Sequence, residues 1–376
     1  MAGIYIHIPF CRKACHYCNF HFSTSLVRAE RMVKAMNTEI TLRANEIAGS
    51  IETIYFGGGT PSILKPSQIA MLLDTISSCY NMAASPEITL EANPDDISME
   101  KALAWKQMGI NRFSIGVQSF ADENLRWMNR AHDASQSIAC INTIREAGFE
   151  NFSIDLIYGT PGQTHAAWIS DLDQAIELKI PHLSCYALTV EEGTALHHMI
   201  GSGKKESIST DEQAERFDAL VKRSAAAGYM HYEISNLALP GMESKHNSAY
   251  WEGKPYLGIG PSAHSLSGIT RSWNIADNLQ YIQSIEAGTL PREAEVLRPI
   301  DQLNEYIMTA LRSSKGIQKD VVVKKWGLEK WLSMEQSIQP FLIGGKALAT
   351  GDRLTLSMEG RFFADGIASA LFFLEN

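Results

Sequence analysis

Short runs rich in Ile, Val, Tyr and Phe recur along the chain, each followed by a longer stretch with helical spacing of its apolar positions. The runs are IYIHI (4–8), TIYF (53–56), EITLEA (87–92), RFSIGV (112–117), FSIDLIY (152–158) and HLSCYAL (182–188), with YMHYEIS (229–235) as a seventh. Alternating strand and helix predicts a parallel sheet with right-handed crossovers, and this many repeats suffice for an open or closed α/β barrel. Barrels of this kind carry their chemistry at the C-terminal ends of the strands. Here the Gly-rich, cysteine-rich and polar segments fall just after the predicted strands. In the first run a period of two puts Ile4, Ile6 and Ile8 on one face, leaving Tyr5 and His7 to look into the barrel.

Helix starts are ordinary: Pro66 opens QIAMLLDTI and Ser98 leads into MEKALAWKQM. Around residue 240 the period breaks over Pro240, Gly241, Gly253, Pro255, Gly258, Gly260 and Pro261, which predicts the end of a barrel domain spanning 1–240. A connecting segment, 241–296, follows. From 297 to 376 an amphipathic helix leads to a hairpin, KALATGDRLTLS, turning at Gly351-Asp352, and then to another helix. That pattern predicts a small helical, winged-helix-like domain, placed as a lid over the barrel mouth.

Composition narrows the partners. The 376 residues are 45% apolar, with a net charge of −9 from 33 basic and 42 acidic residues. That balance argues against nucleic acid, which is gripped by clustered positive charge. Three of six cysteines lie in one short window, while Cys79, Cys140 and Cys185 stand alone. This is no disulfide framework and points to a reducing compartment. The opening MAGIYIHIPF lacks the pattern of a secretory signal, and no apolar run approaches the roughly 18 residues of a membrane span. A cytoplasmic location is expected, with peripheral membrane contact still open.

The window HIPFCRKACHYCNF spaces Cys11, Cys15 and Cys18 as C-x3-C-x2-C. Three thiolates can hold three irons of a [4Fe-4S] cluster and leave the fourth iron open. A structural zinc ion completed by His16, His21 or His7 is the alternative. Directly after the second strand comes FGGGTP, where Gly57, Gly58 and Gly59 let the backbone approach a ligand carboxylate or phosphate, or simply make a tight turn. It matches no nucleotide-phosphate motif. Glu91, Gln118, Arg130 and Asp155 interrupt otherwise apolar strand ends; such groups are buried only when paired or ligand-bound, and a structural Glu91–Arg130 ion pair would also explain them. KHNSAYWEG puts His246 and Tyr250 on one helical face with Asn247 and Trp251 beside them. This suits haem ligation and stacking, or an aromatic interface patch. In YLGIGPSAHS, Gly258 and Gly260 lie near His264. The adjacent His197 and His198 are assigned no role.

A C-x3-C-x2-C motif with an aromatic residue beside its last cysteine resembles the radical S-adenosylmethionine (SAM) proteins, whose open iron is chelated by the amino and carboxylate groups of SAM. Over residues 3–190, with Y-x-H-I-P-F-C at its start, the chain is similar to the coproporphyrinogen dehydrogenase group within them. The resemblance implies SAM contacts at Tyr5, Phe20, Gly58, Gly59, Thr60, Glu91, Gln118, Arg130 and Asp155. It also implies a partial (β/α)6-type barrel. The oxidative decarboxylases of that group carry a fourth cysteine where this chain has Phe20, and a longer stretch ahead of the cluster. Phe20 together with H-N-x-x-Y-W instead resembles the HemW-type haem chaperones.

That resemblance implies haem contact by His246, Asn247, Tyr250 and Trp251, with His264 as a further candidate and no residue assigned a catalytic role. Its partners would be haem and cytochrome-type acceptors, including ones at a membrane surface, and an electron donor if SAM is cleaved. The alternative is an oxygen-independent coproporphyrinogen III oxidase. A radical SAM enzyme acting on another small molecule stands behind it.

Overall fold

The computed structural model describes residues 2–374. Its first six strands are β1 (Ala2–Ile8), β2 (Ile51–Gly58), β3 (Met82–Ala92), β4 (Arg112–Gln118), β5 (Phe152–Tyr158) and β6 (His182–Ala187). They pair in chain order and in parallel, with helices between them. Alternation sorts their side chains. Ile4, Ile6, Phe56, Leu90, Phe113, Ile115, Ile154 and Leu183 face outward into one core beneath the helices. Each such side chain contributes about 1.5–3 kcal/mol of apolar burial. The positions between them point into the barrel, and they are polar or aromatic: Tyr5 registers with Tyr55, Tyr55 with Thr89, and Thr89 with Arg112.

The expected seventh parallel strand is different. Met230–Glu233 (β7) forms a hairpin with Asn236–Ala238 (β8), and β8 pairs antiparallel with β6. Only Ile234 and Ser235 separate the two strands, far too few residues for a crossover helix.

At the other edge, residues 241–296 extend the sheet rather than merely connecting two domains. Tyr256–Ile259 (β9) lies parallel to β1, and His264–Ser267 (β10), Thr270–Asn274 (β11) and Arg292–Val296 (β12) continue from it antiparallel. The glycines that break the sequence period make this packing possible. A Cβ on Gly258 would sit 2.0 Å from the His264 carbonyl oxygen, and Gly260 has φ of +101°. A buried network welds this extension to the barrel. Arg43 donates to Glu39 at 2.9 Å, to the Gly258 carbonyl at 2.7 Å and to Ser265 at 3.1 Å; Glu39 in turn accepts from Gly260 N–H and Asn274.

Residues from Leu303 to Leu371 build a second core around Ile307, Trp331, Ile338 and Leu354. It holds a three-stranded antiparallel sheet of Ile317–Gln318 (β13), Ala347–Thr350 (β14) and Arg353–Leu356 (β15), ordered β13-β15-β14. The turn between β14 and β15 falls at Gly351-Asp352 as expected, with Gly351 at φ +58°. This unit docks on the β7–β8 hairpin and on the helix Lys245–Trp251: Ile234 N–H donates to the Arg312 carbonyl, Arg312 lies over the Trp251 ring and Lys315 pairs with Glu252. The lid expected over the mouth is therefore a side support.

Candidate functional site

The chain leaves β1 through Pro9 and Phe10 into the cysteine loop, which is pinned on both sides. Cys11 N–H donates to Ser23 O and Ser23 N–H to Pro9 O. Asn129 reaches the Ala14 carbonyl at 2.7 Å, and His16 N–H reaches Met128 O. Arg12 holds Asp96 at 2.6 Å. The thiols themselves have few partners: the Thr60 hydroxyl lies 3.5 Å from Cys11 Sγ and Arg130 donates to Cys15 Sγ at 3.3 Å. All three line a cavity of about 410 Å³ at the C-terminal ends of the strands. Burial pushes the Cys11 thiol up to about 11, and Cys18 is raised by the same cause.

The glycine loop supports this wall more directly than the sequence suggests. Gly59 N–H donates to the Ile8 carbonyl at 2.8 Å and Thr60 N–H to that of Phe10 at 2.7 Å. A Cβ on Gly59 would lie 2.6 Å from Phe10 O. Two of the loop's amides thus fasten the strand that delivers Cys11. From Thr60 a relay continues around the thiols. Asn93 donates to Thr60 Oγ1 at 3.3 Å, and Arg130 donates to Asn93 at 2.6 Å, to the Gly116 carbonyl at 2.7 Å and to Cys15.

The Glu91–Arg130 ion pair is not formed. Glu91 accepts from the Tyr55 hydroxyl at 2.8 Å and from Gly58 N–H. Its burial, reinforced by the nearby Asp155 charge, pushes the carboxyl up to about 8. Asp155, half-buried and bonded by Ser184 and Ser114, is pushed up to about 6 by desolvation. Gln118 closes β4 with φ of +68°, a conformation that non-glycine residues adopt at a cost.

These features fit a [4Fe-4S] cluster with SAM. The cavity has the size of a small-molecule site. It brings together three thiols, two raised carboxyls ready for a cationic group, and Arg130, whose buried Nε has no hydrogen-bond partner. Zinc fits poorly. His7 Nε2 is bonded to His21 O, His21 Nε2 to Asn278 and His16 Nδ1 to Trp127 O. Among the described residues no three His, Cys, Asp or Glu side chains converge on a single ion.

Phe20, Gly58, Gly59, Thr60, Glu91, Gln118, Arg130 and Asp155 all line the cavity, with Phe20 66% exposed. Tyr5 is not among the lining residues; it is stacked on Tyr55 with its hydroxyl 3.3 Å from His7 Nδ1. Asn93, Ser114, Gly116 and Tyr186 line the cavity without having been singled out. Asn93 had a readable signal, since it lies two residues beyond Glu91 and so on the same strand face.

The H-N-x-x-Y-W segment forms the helix Lys245–Trp251, capped by Ser244. It enters the barrel near the N-terminal ends of the strands, where Glu87 accepts from the Lys245 and His246 amides at 3.2 and 3.1 Å. His246 is buried and both ring nitrogens are bonded, Nδ1 to Thr53 at 2.7 Å and Nε2 to Tyr250 at 2.9 Å. Its ring stacks on Tyr55 at 5.0 Å, and burial, helped by the Arg112 charge, pushes it down to about 3. An axial role for His246 would require one of these two bonds to break, since only one ring nitrogen binds iron. Tyr250 packs edge-on against Tyr256, and Trp251 lies under Arg312. His264 is exposed on β10, 6.0 Å from Trp273.

Comparison with known proteins agrees with this geometry. Residues 5–175 match the Radical SAM superfamily. The chain is 33% identical to the haem chaperone HemW of Mycobacterium tuberculosis, a match covering 98% of this chain and 94% of that protein. It is 35% identical to HemW of Bacillus subtilis, over 87% of each. The solved structure of the Escherichia coli coproporphyrinogen III oxidase HemN, a radical SAM enzyme, superposes with a TM-score of 0.86 at 25% identity, covering 99% of this chain and 90% of that one. By its thiol-lined cavity and these relationships, the chain belongs to the radical SAM superfamily and, within it, to the HemW haem chaperone family.

Proposed function

We propose that this protein binds haem and passes it to haem-accepting proteins of cytochrome type, while carrying a [4Fe-4S] cluster and SAM in the barrel cavity. The observation that carries this reading is the match to HemW chaperones along nearly the whole chain. In this reading Cys11, Cys15 and Cys18 hold three irons, and Arg130 offsets thiolate charge at Cys15. Glu91 accepts hydrogen bonds from the iron-bound amino group of SAM, and Phe20 gives the cavity lip an apolar face where a fourth thiol would otherwise stand. A cluster with an open iron supplies, when loaded and reduced, the electron that cleaves SAM in this superfamily. An electron donor is a partner only under that condition.

Acceptors at a membrane surface would be met by peripheral contact, because no helix among the described residues is long and apolar enough to cross a membrane. We place the protein in a reducing, cytoplasmic setting, where the clustered thiols Cys11, Cys15 and Cys18 can serve as iron ligands.

The close superposition on HemN favours a second reading, oxidative decarboxylation of coproporphyrinogen III. Two assays separate them. Haem-loaded protein mixed with an apo-cytochrome should transfer haem faster than free haem equilibrates through a scavenger such as apo-myoglobin. Incubation with SAM, reductant and coproporphyrinogen III should give no protoporphyrinogen. Product formation without haem transfer would replace the chaperone by the enzyme.

A further inference from the structure

We infer that Asp171 is a positioning residue for the SAM cavity, acting through the strained backbone that presents Gln118. This rests on the radical SAM reading of the cavity and adds a residue to it from outside. Asp171 stands on the helix His165–Glu177, is 2% exposed and is not among the residues lining the cavity.

Two local rules conflict at Gln118. Alternation along β4 turns it inward with Ser114 and Gly116, which line the cavity. The pairing with β5 turns it outward. It runs Phe113 with Phe152, Ser114 with Ser153 and Ile115 with Ile154, then jumps to Gln118 with Leu156. Three steps on β4 thus match two on β5, which makes a bulge. Leu156 belongs to the core outside the barrel, and residues paired across adjacent strands share a face. Gln118 nevertheless lines the cavity, its Nε2 lying 3.0 Å from where a Cβ on Gly116 would stand, as does Arg130 Nη2. The bulge and a φ of +68° at Gln118 reconcile the two rules, and a non-glycine residue keeps that φ only where its surroundings enforce it.

Asp171 supplies the enforcement. Its carboxylate takes the two polar groups that directly follow Gln118: Oδ2 accepts from the Ser119 hydroxyl at 2.8 Å and Oδ1 from Phe120 N–H at 2.7 Å. Ser119 Oγ in turn accepts from Ala121 N–H at 3.1 Å and from Asn124 at 3.3 Å. With its lone pairs so engaged, the Ser119 hydroxyl is left to donate, and the Phe120 amide can only donate. Both therefore need an acceptor, which a carboxylate provides twice and an amide only once. Burial pushes the Asp171 carboxyl up to about 6, which leaves it ionised at neutral pH. A charged acceptor shared by two donors is a strong anchor for the exit of β4. Losing one acceptor strands a buried donor, and the relaxed pairing then turns Gln118 away from the cavity.

The test is anaerobic titration calorimetry of SAM with the full-length, cluster-reconstituted protein, with iron–sulfur absorbance as the check on integrity. Asp171→Asn and Gln118→Ala should each weaken SAM binding about tenfold while cluster content stays at the wild-type level. The double variant should bind no more weakly than Gln118→Ala alone, because Asp171 acts through the Gln118 side chain. Should Asp171→Asn not hold its cluster, Ser119→Ala replaces it in the same cycle, with an expected loss of about threefold that vanishes in the Gln118→Ala background. Wild-type affinity in Asp171→Asn, or losses that multiply to about a hundredfold in the double variant, would overturn the assignment and leave the cavity reading standing. Failure of the wild type to bind SAM at all would overturn both.

Discussion

The cysteine loop and the helix Lys245–Trp251 both carry residues suited to a metal, yet the fold treats them oppositely. The loop's backbone is pinned by neighbouring segments, while its thiols face a cavity with the Thr60 and Tyr17 hydroxyls, the Arg130 guanidinium and the Phe20 amide as their partners. In the helix it is the functional groups that are engaged. Thr53 and Tyr250 hold both nitrogens of His246, Tyr55 covers its ring, and Glu87 takes the first helical amides. A motif therefore names a chemistry, and the accounting of partners decides whether it is presented or consumed. A buried imidazole left unbonded would be costly, so the fold supplies its partners from β2 and from the helix itself.

The strongest way to break this contrast is to remove the thiols. Replacing any one of Cys11, Cys15 or Cys18 by Ala should abolish the visible iron–sulfur absorption after reconstitution, while circular dichroism stays native because the loop is held by its backbone. A normal cluster in all three variants would remove the thiols as ligands.

His246→Ala should do the reverse, leaving cluster content intact but costing about 2–4 kcal/mol of stability in chemical denaturation. It opens a cavity and strands Thr53 and Tyr250. An unchanged denaturation midpoint would mean that His246 is presented after all.

Glu91 sharpens the cavity side. Its folded carboxyl, raised to about 8, is protonated at neutral pH, whereas accepting hydrogen bonds from the iron-bound amino group of SAM favours the ionised form. SAM affinity of the loaded protein should therefore rise with pH, by up to about tenfold per unit below pH 8, and level off above it. Glu91→Gln should flatten that profile and weaken binding about tenfold at pH 8 by calorimetry. A steep profile in the Gln variant would assign the titration elsewhere. The smallest effect is expected for Tyr250→Phe, which leaves His246 Nε2 unbonded at a cost of about 1 kcal/mol in the denaturation midpoint.

The barrel was legible because a period of two runs through its six parallel strands, which also placed Tyr5 and His7 inward correctly. Cavity residues such as Glu91 and Asp155 could be read because carboxyls are rare at apolar strand ends. The sheet extension could not be read, since β9 and β10 are four residues each, with Gly258 inside β9 and Gly260 and Gly268 beside the strands looking like loop. Nor could the confinement of His246, whose partner Thr53 is 193 residues away in sequence. Local pattern names residues, whereas long-range packing decides which of their atoms remain available.

The most direct measurement is an anaerobic haem titration of one sample already carrying its cluster, with iron–sulfur absorbance and the Soret band followed together. One haem per chain, bound saturably while cluster absorbance and SAM binding persist, is the predicted result, because the chaperone reading gives the thiol cavity to the cluster and SAM. Non-saturating haem uptake, or haem that displaces the cluster, would contradict a haem-binding radical SAM protein with two distinct sites.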